Sequence, residues 1–73
     1  MFVKEKFSSR LQELRKANNL SQMQVAVIAG LSQTAIAKIE SGQRAASIEV
    51  LCLLADYFDV SLDYLVGRSD KPK

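Results

Sequence analysis

Two short helical patterns lie unusually close together in the middle of the chain, with only residues 30–32, Gly-Leu-Ser, between them. Ser21 and Gln24 have the spacing of a capping box, which begins a helix by satisfying its first free backbone N–H groups. Ser32 has the chemistry of a second helix cap. Each pattern has only about two turns, too few for a stable isolated helix in water. The two helices must therefore stabilise each other across a tight turn.

The rest of the 73-residue chain also has helical spacing, and no segment shows the alternation of a strand. The length fits one small domain. We predict an all-α, compact five-helix fold with a domain over 1–67 and a polar tail over 68–73. The second helix lies between its Ser21 cap and Gly30. The other four are predicted over about 5–18, 33–41, 48–58 and 62–66.

The two central helices have small or apolar residues wherever a crossing near a right angle needs them. Ala26 is small at the crossing, and Gly30 suits the positive φ of the turn. Leu31 is expected to fill the space beneath both helices. Further inward positions are Val25, Ala29, Ile36 and Ile39. A three-residue connection that contains glycine is typical of a helix-turn-helix, formed here by helices 2 and 3.

The predicted fourth helix has an apolar stripe made of Ile48, Leu51, Cys52, Ala55 and Phe58. Cys52 is the only cysteine of the chain, which excludes an intramolecular disulfide. Because free cysteine is commonly buried, we expect Cys52 to be a structural thiol in the core.

Charge is unevenly distributed along the sequence. Residues 1–48 contain seven basic and three acidic residues, whereas residues 49–66 contain four acidic and no basic residues. A basic region beside an acidic one favours contact with a polyanion, although ordinary surface charge would give the same count.

The composition argues against an enzyme. The chain has no histidine, which excludes a Ser-His-Asp triad and a histidine metal site, and its single cysteine argues against zinc. No glycine-rich phosphate loop follows a strand, so no cofactor and no small-molecule ligand are expected. No apolar run reaches the roughly 18 residues of a membrane span. The N-terminus lacks the apolar core of a signal peptide, which predicts a cytoplasmic protein.

The central stretch, LSQMQVAVIAGLSQTAIAKIESGQR, resembles the helix-turn-helix of the Cro/repressor family, also called the XRE family. The resemblance continues upstream through LQELRKANN and downstream through SIEVLCLLADYFDVSLDYLVG, and covers about residues 7–67. It implies a DNA-binding domain, most often of a repressor, that acts as a homodimer on a palindromic operator in double-stranded DNA.

Recognition-helix geometry and this resemblance together assign the DNA-binding residues. The first residues of such a helix reach base edges in the major groove. We therefore predict base reading by Gln33 and Thr34, and by Lys38 one turn further along the same exposed face. The predicted phosphate contacts are Gln22, Ser32, Gln43 and Arg44. The alternative is that these are solvated polar residues without a partner.

The resemblance also implies a structural ion pair between Arg15 in helix 1 and Glu40 at the end of the recognition helix. Such a pair would fix the two helices against each other without reading bases. The alternative is a loose surface pair that contributes about 0–1 kcal/mol.

Two groups of apolar residues have no role in the DNA interpretation. Val27 and Ile28 stand where the family often has charged residues, and at least one should face solvent. The second group contains the candidates for a dimer interface: Leu53, Tyr57, Val60, Tyr64 and Val66. These five could instead complete the core around helix 5.

Val27 and Ile28 are also compatible with a second class of function, the binding of another protein. A protein-interaction module could use the same scaffold without reading DNA, with these two residues as its partner surface. An antitoxin that binds both DNA and a toxin would combine the two functions.

Overall fold

The computed structural model describes residues 4–73, and all regular structure in this part of the chain is helical. The helices are α1 (Lys4–Ala17), α2 (Gln22–Ala29), α3 (Gln33–Glu40), α4 (Ile48–Phe58) and α5 (Leu62–Leu65). The predicted all-α, five-helix fold is confirmed, and the helix ends differ from the predicted ones by one residue at most. The first three residues of the predicted 1–67 domain lie outside the described residues. None of the described helices is long and apolar enough to cross a membrane.

Serine begins four of the helices, because its hydroxyl accepts a hydrogen bond from a backbone N–H that the helix itself leaves unpaired. In α2 the Ser21 hydroxyl accepts from the backbone N–H of Gln24 at 3.1 Å. The Gln24 side chain in turn accepts from the backbone N–H of Ser21 at 2.7 Å, which completes the predicted capping box. The other capping serines are Ser32, Ser47 and Ser61.

The turn between α2 and α3 has the predicted backbone conformation. Gly30 has φ +70° and ends α2 in the left-handed region, which glycine adopts without a Cβ penalty. The backbone N–H of Leu31 then donates to the carbonyl of Ala26 at 2.9 Å. Together with the bond from the Gly30 backbone N–H to the Val27 carbonyl at 3.2 Å, this bond closes the C-terminal end of α2 as a Schellman motif and fixes the direction in which α3 departs.

The core lies where α1, α2 and α3 meet α4 and α5. Ala26 is almost fully buried, and its small side chain allows α2 and α3 to approach closely. Val25, Ala29, Ile36 and Ile39 are buried as predicted, and Leu31 packs against the core while partly exposed. The largest fully buried side chains are Phe7, Leu11, Val25, Ile36, Ile39, Leu54 and Leu65.

The predicted apolar stripe of α4 is correct for Leu51, Ala55 and the partly buried Phe58, and wrong for its other two positions. The buried residues of α4 are Val50, Leu51, Leu54 and Ala55, whereas the predicted stripe included two positions that face solvent. Ile48 is 59% exposed, and Cys52 is exposed rather than a buried structural thiol. The reason is that α4 has apolar residues on both sides, so two rotations about its axis each present an apolar stripe.

The C-terminal tail folds back along α5. The backbone N–H of Ser61 donates to the Pro72 carbonyl at 2.6 Å, and Lys73 pairs with Asp59 at the same distance. Arg10 of α1 donates to the carbonyls of Tyr64 and Ser69 and stacks over the Tyr64 ring at 3.8 Å. The tail is therefore attached to both α1 and α5.

Candidate nucleic-acid interface

The solvent side of α3 carries the three predicted base-reading residues. Gln33, Thr34 and Lys38 are exposed, while the opposite side of the helix is buried through Ile36 and Ile39. No hydrogen bond or ion pair described for residues 4–73 involves the three exposed side chains. Their polar groups are therefore available to an external partner.

Three of the four predicted phosphate contacts flank this face. Ser32 is exposed before α3, and its hydroxyl oxygen accepts from the Ala35 backbone N–H at 3.1 Å, so its own hydrogen stays available. Gln43 and Arg44 are exposed in the loop after α3. The loop begins with a bond from the Gln43 backbone N–H to the Lys38 carbonyl at 2.9 Å, which places both residues just beyond the C-terminal end of α3.

The fourth predicted phosphate contact, Gln22, is half-buried at the beginning of α2. Its side-chain Nε2 donates to Glu40 Oε1 at 3.2 Å. An amide nitrogen carries two hydrogens, so one donor remains for another acceptor.

Arg15 and Glu40 form a bidentate ion pair. Arg15 Nε lies 2.7 Å from Glu40 Oε2, and Nη2 lies 3.1 Å from Oε1. The side chains are 14% and 4% exposed, so the loose surface pair is not what the structure contains. Arg15 Nη1 also donates to the Leu20 carbonyl at 3.0 Å, which attaches the connection between α1 and α2 to the same guanidinium.

Two further side chains of α1 bind the end of α3, and the sequence interpretation missed both. The buried Ser8 hydroxyl donates to the Ile39 carbonyl at 2.7 Å. Gln12 Nε2 donates to the Glu40 carbonyl at 2.6 Å. The last carbonyls of a helix lack partners within it. The Gln12 bond supplies such a partner for the Glu40 carbonyl, and the Ser8 bond adds to the one that the Ile39 carbonyl accepts from the Gly42 backbone N–H at 3.1 Å.

A sequence signal for this attachment existed. Ser8, Gln12 and Arg15 have the i, i+4, i+7 spacing of one helix face, and they adjoin the apolar stripe of α1. A polar row beside a buried stripe indicates hydrogen bonds at the edge of the core. The identity of the acceptors could not be read from it, because backbone carbonyls leave no trace in a sequence.

Hydrogen bonds and an ion pair from α1 hold the end of α3, and the outer face of α3 stays exposed. Residues 11–65 match the model of the helix-turn-helix family. The chain belongs to the helix-turn-helix family. The resemblance to Cro/repressor proteins is thereby confirmed at the level of the family, and the family makes this a DNA-binding regulatory domain rather than a catalytic one.

Similar proteins are regulators. The transcriptional regulator AnsR of Bacillus subtilis is 46% identical over 59 residues, which are 81% of this chain and 51% of that protein. The phage CTXphi transcriptional repressor RstR of Vibrio cholerae is 41% identical over 63 residues, which are 86% of this chain and 56% of that protein. The chain thus spans little more than half of these relatives.

A solved structure of similar size belongs to the restriction-modification controller protein C.AhdI from Aeromonas hydrophila. It is 37% identical, with a TM-score of 0.76, and the match covers 85% of this chain and 94% of that one. Nearly the whole of that controller protein therefore has the fold described here.

The helix-turn-helix domain also exposes apolar side chains on α2. Val27 is 74% exposed and Met23 is 53% exposed, while Ile28 is half-buried. Met23 and Val27 are four residues apart and share the outer side of the helix. The expectation that at least one of Val27 and Ile28 faces solvent is met by Val27.

The five candidates for a dimer interface fall into two groups. Leu53 and Tyr57 are about half exposed on the outer side of α4. Val66 is only 8% exposed and belongs to the core, which removes it as an interface candidate. Val60 packs partly buried against the core, and Tyr64 lies half-buried beneath the Arg10 guanidinium. The alternative role, completing the core around α5, thus describes Val60 and Val66, while the Tyr64 ring contacts Arg10.

Proposed function

We propose that this chain is the DNA-reading domain of a transcriptional repressor, and that α3 enters the major groove of its operator. One observation carries the proposal. The end of α3 is fixed by Ser8, Gln12 and Arg15, while its outer face keeps Gln33, Thr34 and Lys38 free of internal partners. A helix held this way presents its side chains in one orientation, as base reading requires.

The three exposed side chains have complementary base chemistry. The Gln33 amide matches the N6 and N7 positions of adenine, and the Lys38 ammonium matches O6 and N7 of guanine. The Thr34 methyl group suits a thymine methyl. Gln33 and Thr34 occupy the first turn of α3, which is the part of a recognition helix that reaches furthest into the groove.

Phosphate contacts would set the position of the domain on the duplex. Gln22 lies at the beginning of α2, where backbone N–H groups and the helix dipole favour an anion. Ser32, Gln43 and Arg44 lie before and after α3, so the four residues bracket the reading face from both ends. Arg44 supplies the charge, and its contact would carry the salt dependence of binding.

We further propose that two copies bind a palindromic operator as a homodimer through the outer side of α4. Leu53 and Tyr57 supply exposed apolar area there, and a tyrosine is a favoured interface residue because it is large and amphipathic. A symmetric pair would place two copies of α3 about one turn of DNA apart, roughly 34–36 Å. Such a dimer would repress by occupying the operator, in the cytoplasm where the DNA lies.

The exposure of Val27 supports a second candidate, a protein partner bound to α2. Met23 and Val27 together give this short helix an apolar outer side as well as an apolar inner one. An antitoxin or another protein-binding regulator would use that surface. Such a partner would leave the face of α3 free, so the two candidates are compatible.

Selection of bound duplexes from a random pool tests the proposal most directly. We expect enriched sequences to contain two inverted half-sites one helical turn apart. In a fluorescence anisotropy titration, Lys38→Ala should weaken binding to the selected duplex by about 1–3 kcal/mol. Lys71→Ala removes the same charge from the tail and is the matched control, expected to have a small effect.

Three results would contradict the proposal. No affinity for any duplex at low salt would exclude DNA binding. If Lys38→Ala lowered the binding affinity no more than Lys71→Ala, and by the same amount on selected and on random DNA, Lys38 would act by its charge alone. Single, unpaired half-sites among the selected sequences would exclude the symmetric dimer.

A further inference from the structure

The Glu40 carboxylate joins three helices at one buried point. It belongs to the last residue of α3, its side chain is 4% exposed, and it accepts two bonds from Arg15 of α1. It also accepts from Gln22 Nε2, which is in the first turn of α2, at 3.2 Å. The ion pair with Arg15 explains why the Glu40 carboxylate can be buried. The bond to Gln22 links Glu40 to the predicted phosphate contact.

We infer that Glu40 is a positioning residue for the DNA backbone: it holds the Gln22 amide so that its second hydrogen points at a phosphate. This inference rests on the proposed function. A glutamine side chain on a surface samples many rotamers, and ordering it on binding costs conformational entropy. The bond to Glu40 removes that freedom when the chain folds, so less is lost when DNA binds.

The same geometry explains how a carboxylate is tolerated beside a phosphate site. A bare carboxylate would repel the phosphate, but the bidentate contact with Arg15 pairs the Glu40 charge. The Glu40 backbone is fixed as well, since Gln12 binds its carbonyl at 2.6 Å. The Glu40 carboxylate therefore serves the contact at the start of α2, while the Glu40 backbone keeps its own attachment to α1 whatever the side chain is.

Glu40→Gln separates the positioning effect of Glu40 from its charge effect, because the two change the DNA-binding affinity in opposite directions. The variant removes a negative charge, which by itself should strengthen binding to DNA. It also leaves a single acceptor oxygen, for which Arg15 and Gln22 compete. We expect a loss of operator affinity of about three- to tenfold, the equivalent of one modest hydrogen bond. Glu49→Gln makes the same charge change on exposed α4 and should leave affinity equal or slightly higher.

A double-mutant cycle with Gln22→Ala identifies the route of the effect. If Glu40 acts through Gln22, Glu40→Gln lowers affinity in the wild-type background and not in the Gln22→Ala background. Gln22→Ala leaves the Arg15–Glu40 pair intact, so its melting temperature should stay close to that of the wild type. An equal loss in both backgrounds, or no loss in either, would overturn the inference.

Side-chain amide NMR tests the positioning without DNA and does not depend on the folding of the Glu40 variant. The Gln22 amide signals, identified by their disappearance in Gln22→Ala, should show an ordered side chain in the wild type. A Gln22 amide as mobile as that of exposed Gln43 would overturn the inference. An ordered Gln22 in a wild-type chain that binds no duplex would instead overturn the proposed function, and the inference with it.

Discussion

Helices α3 and α4 are both amphipathic and both pack on the same core, but they are held in different ways. Directional bonds from Ser8, Gln12 and Arg15 fix the end of α3. Among the described residues, side-chain hydrogen bonds reach α4 only at its Ser47 cap, and apolar packing holds the rest of it. The outer face of α3 is polar, whereas that of α4 exposes Ile48, Cys52, Leu53 and Tyr57.

The two kinds of contact specify the orientation of a helix to different degrees. A hydrogen bond or ion pair has a required direction, so a small rotation of α3 would break several at once. Apolar contact is non-directional, and its free energy scales with the buried area. Rotating α4 about its axis to bury a different apolar stripe would therefore cost less free energy than the same rotation of α3. A reading helix needs the first kind of attachment, because its outer side chains must meet fixed base positions.

The largest expected effect comes from breaking the attachment of α3. Arg15→Ala leaves the Glu40 carboxylate, which is 4% exposed, without its cationic partner. Removal of one member of a buried pair costs about 3–5 kcal/mol, which is a large part of the stability of a domain this small. Urea unfolding followed by circular dichroism measures the loss.

Lys16→Ala is the control for this prediction, because Lys16 is the exposed neighbour of Arg15 on α1 and carries the same charge. It should change the free energy of unfolding by no more than about 0.5 kcal/mol. Similar losses for the two variants would mean that the pair is as weak as a surface pair and that α3 is held by packing alone.

A smaller effect is expected on α4, where adjacent leucines report the rotation of the helix. Leu54 is fully buried, so Leu54→Ala should cost about 2–4 kcal/mol through lost burial and the cavity it leaves. Leu53 is 49% exposed, and Leu53→Ala should be near neutral at concentrations where the chain is monomeric. The reverse order in thermal or urea unfolding would show that α4 packs with its other side inward.

This contrast also explains what the sequence could predict. Apart from Glu40 at its end, the polar residues of α3 fall on one side, so only one rotation buries Ile36 and Ile39. Gln33, Thr34 and Lys38 were placed correctly on the exposed side. In α4 only Glu49 and the two residues Asp56 and Tyr57 mark the outer side, since most other positions are apolar. Periodicity alone could not choose between its stripes, and the neighbouring helices decided the rotation.

Within the candidate site, local features were predictable and long-range polar contacts were not. Gly30 and the Ser21–Gln24 box depend on residues a few positions apart, so their chemistry can be read directly. The bond from Gln22 to Glu40 spans 18 residues and depends on the crossing of α2 and α3. Only the family resemblance indicated the Arg15–Glu40 pair, and nothing indicated that Gln22 would share its carboxylate.

The smallest expected effect is also the most direct test of the rotation of α4. Because Cys52 is exposed, Cys52→Ser should change the free energy of unfolding by less than about 0.5 kcal/mol, whereas a buried thiol replaced by a hydroxyl would cost more. The wild-type thiol should react stoichiometrically with a thiol reagent in native buffer when the protein is dilute. A thiol that reacts only after denaturation would place Cys52 in the core. If the Cys52 thiol is protected from the reagent in concentrated solution and reacts on dilution, a second copy of the chain covers this side of α4. The dimer interface would then be the outer side of α4, the helix that is held by apolar packing rather than by directional bonds.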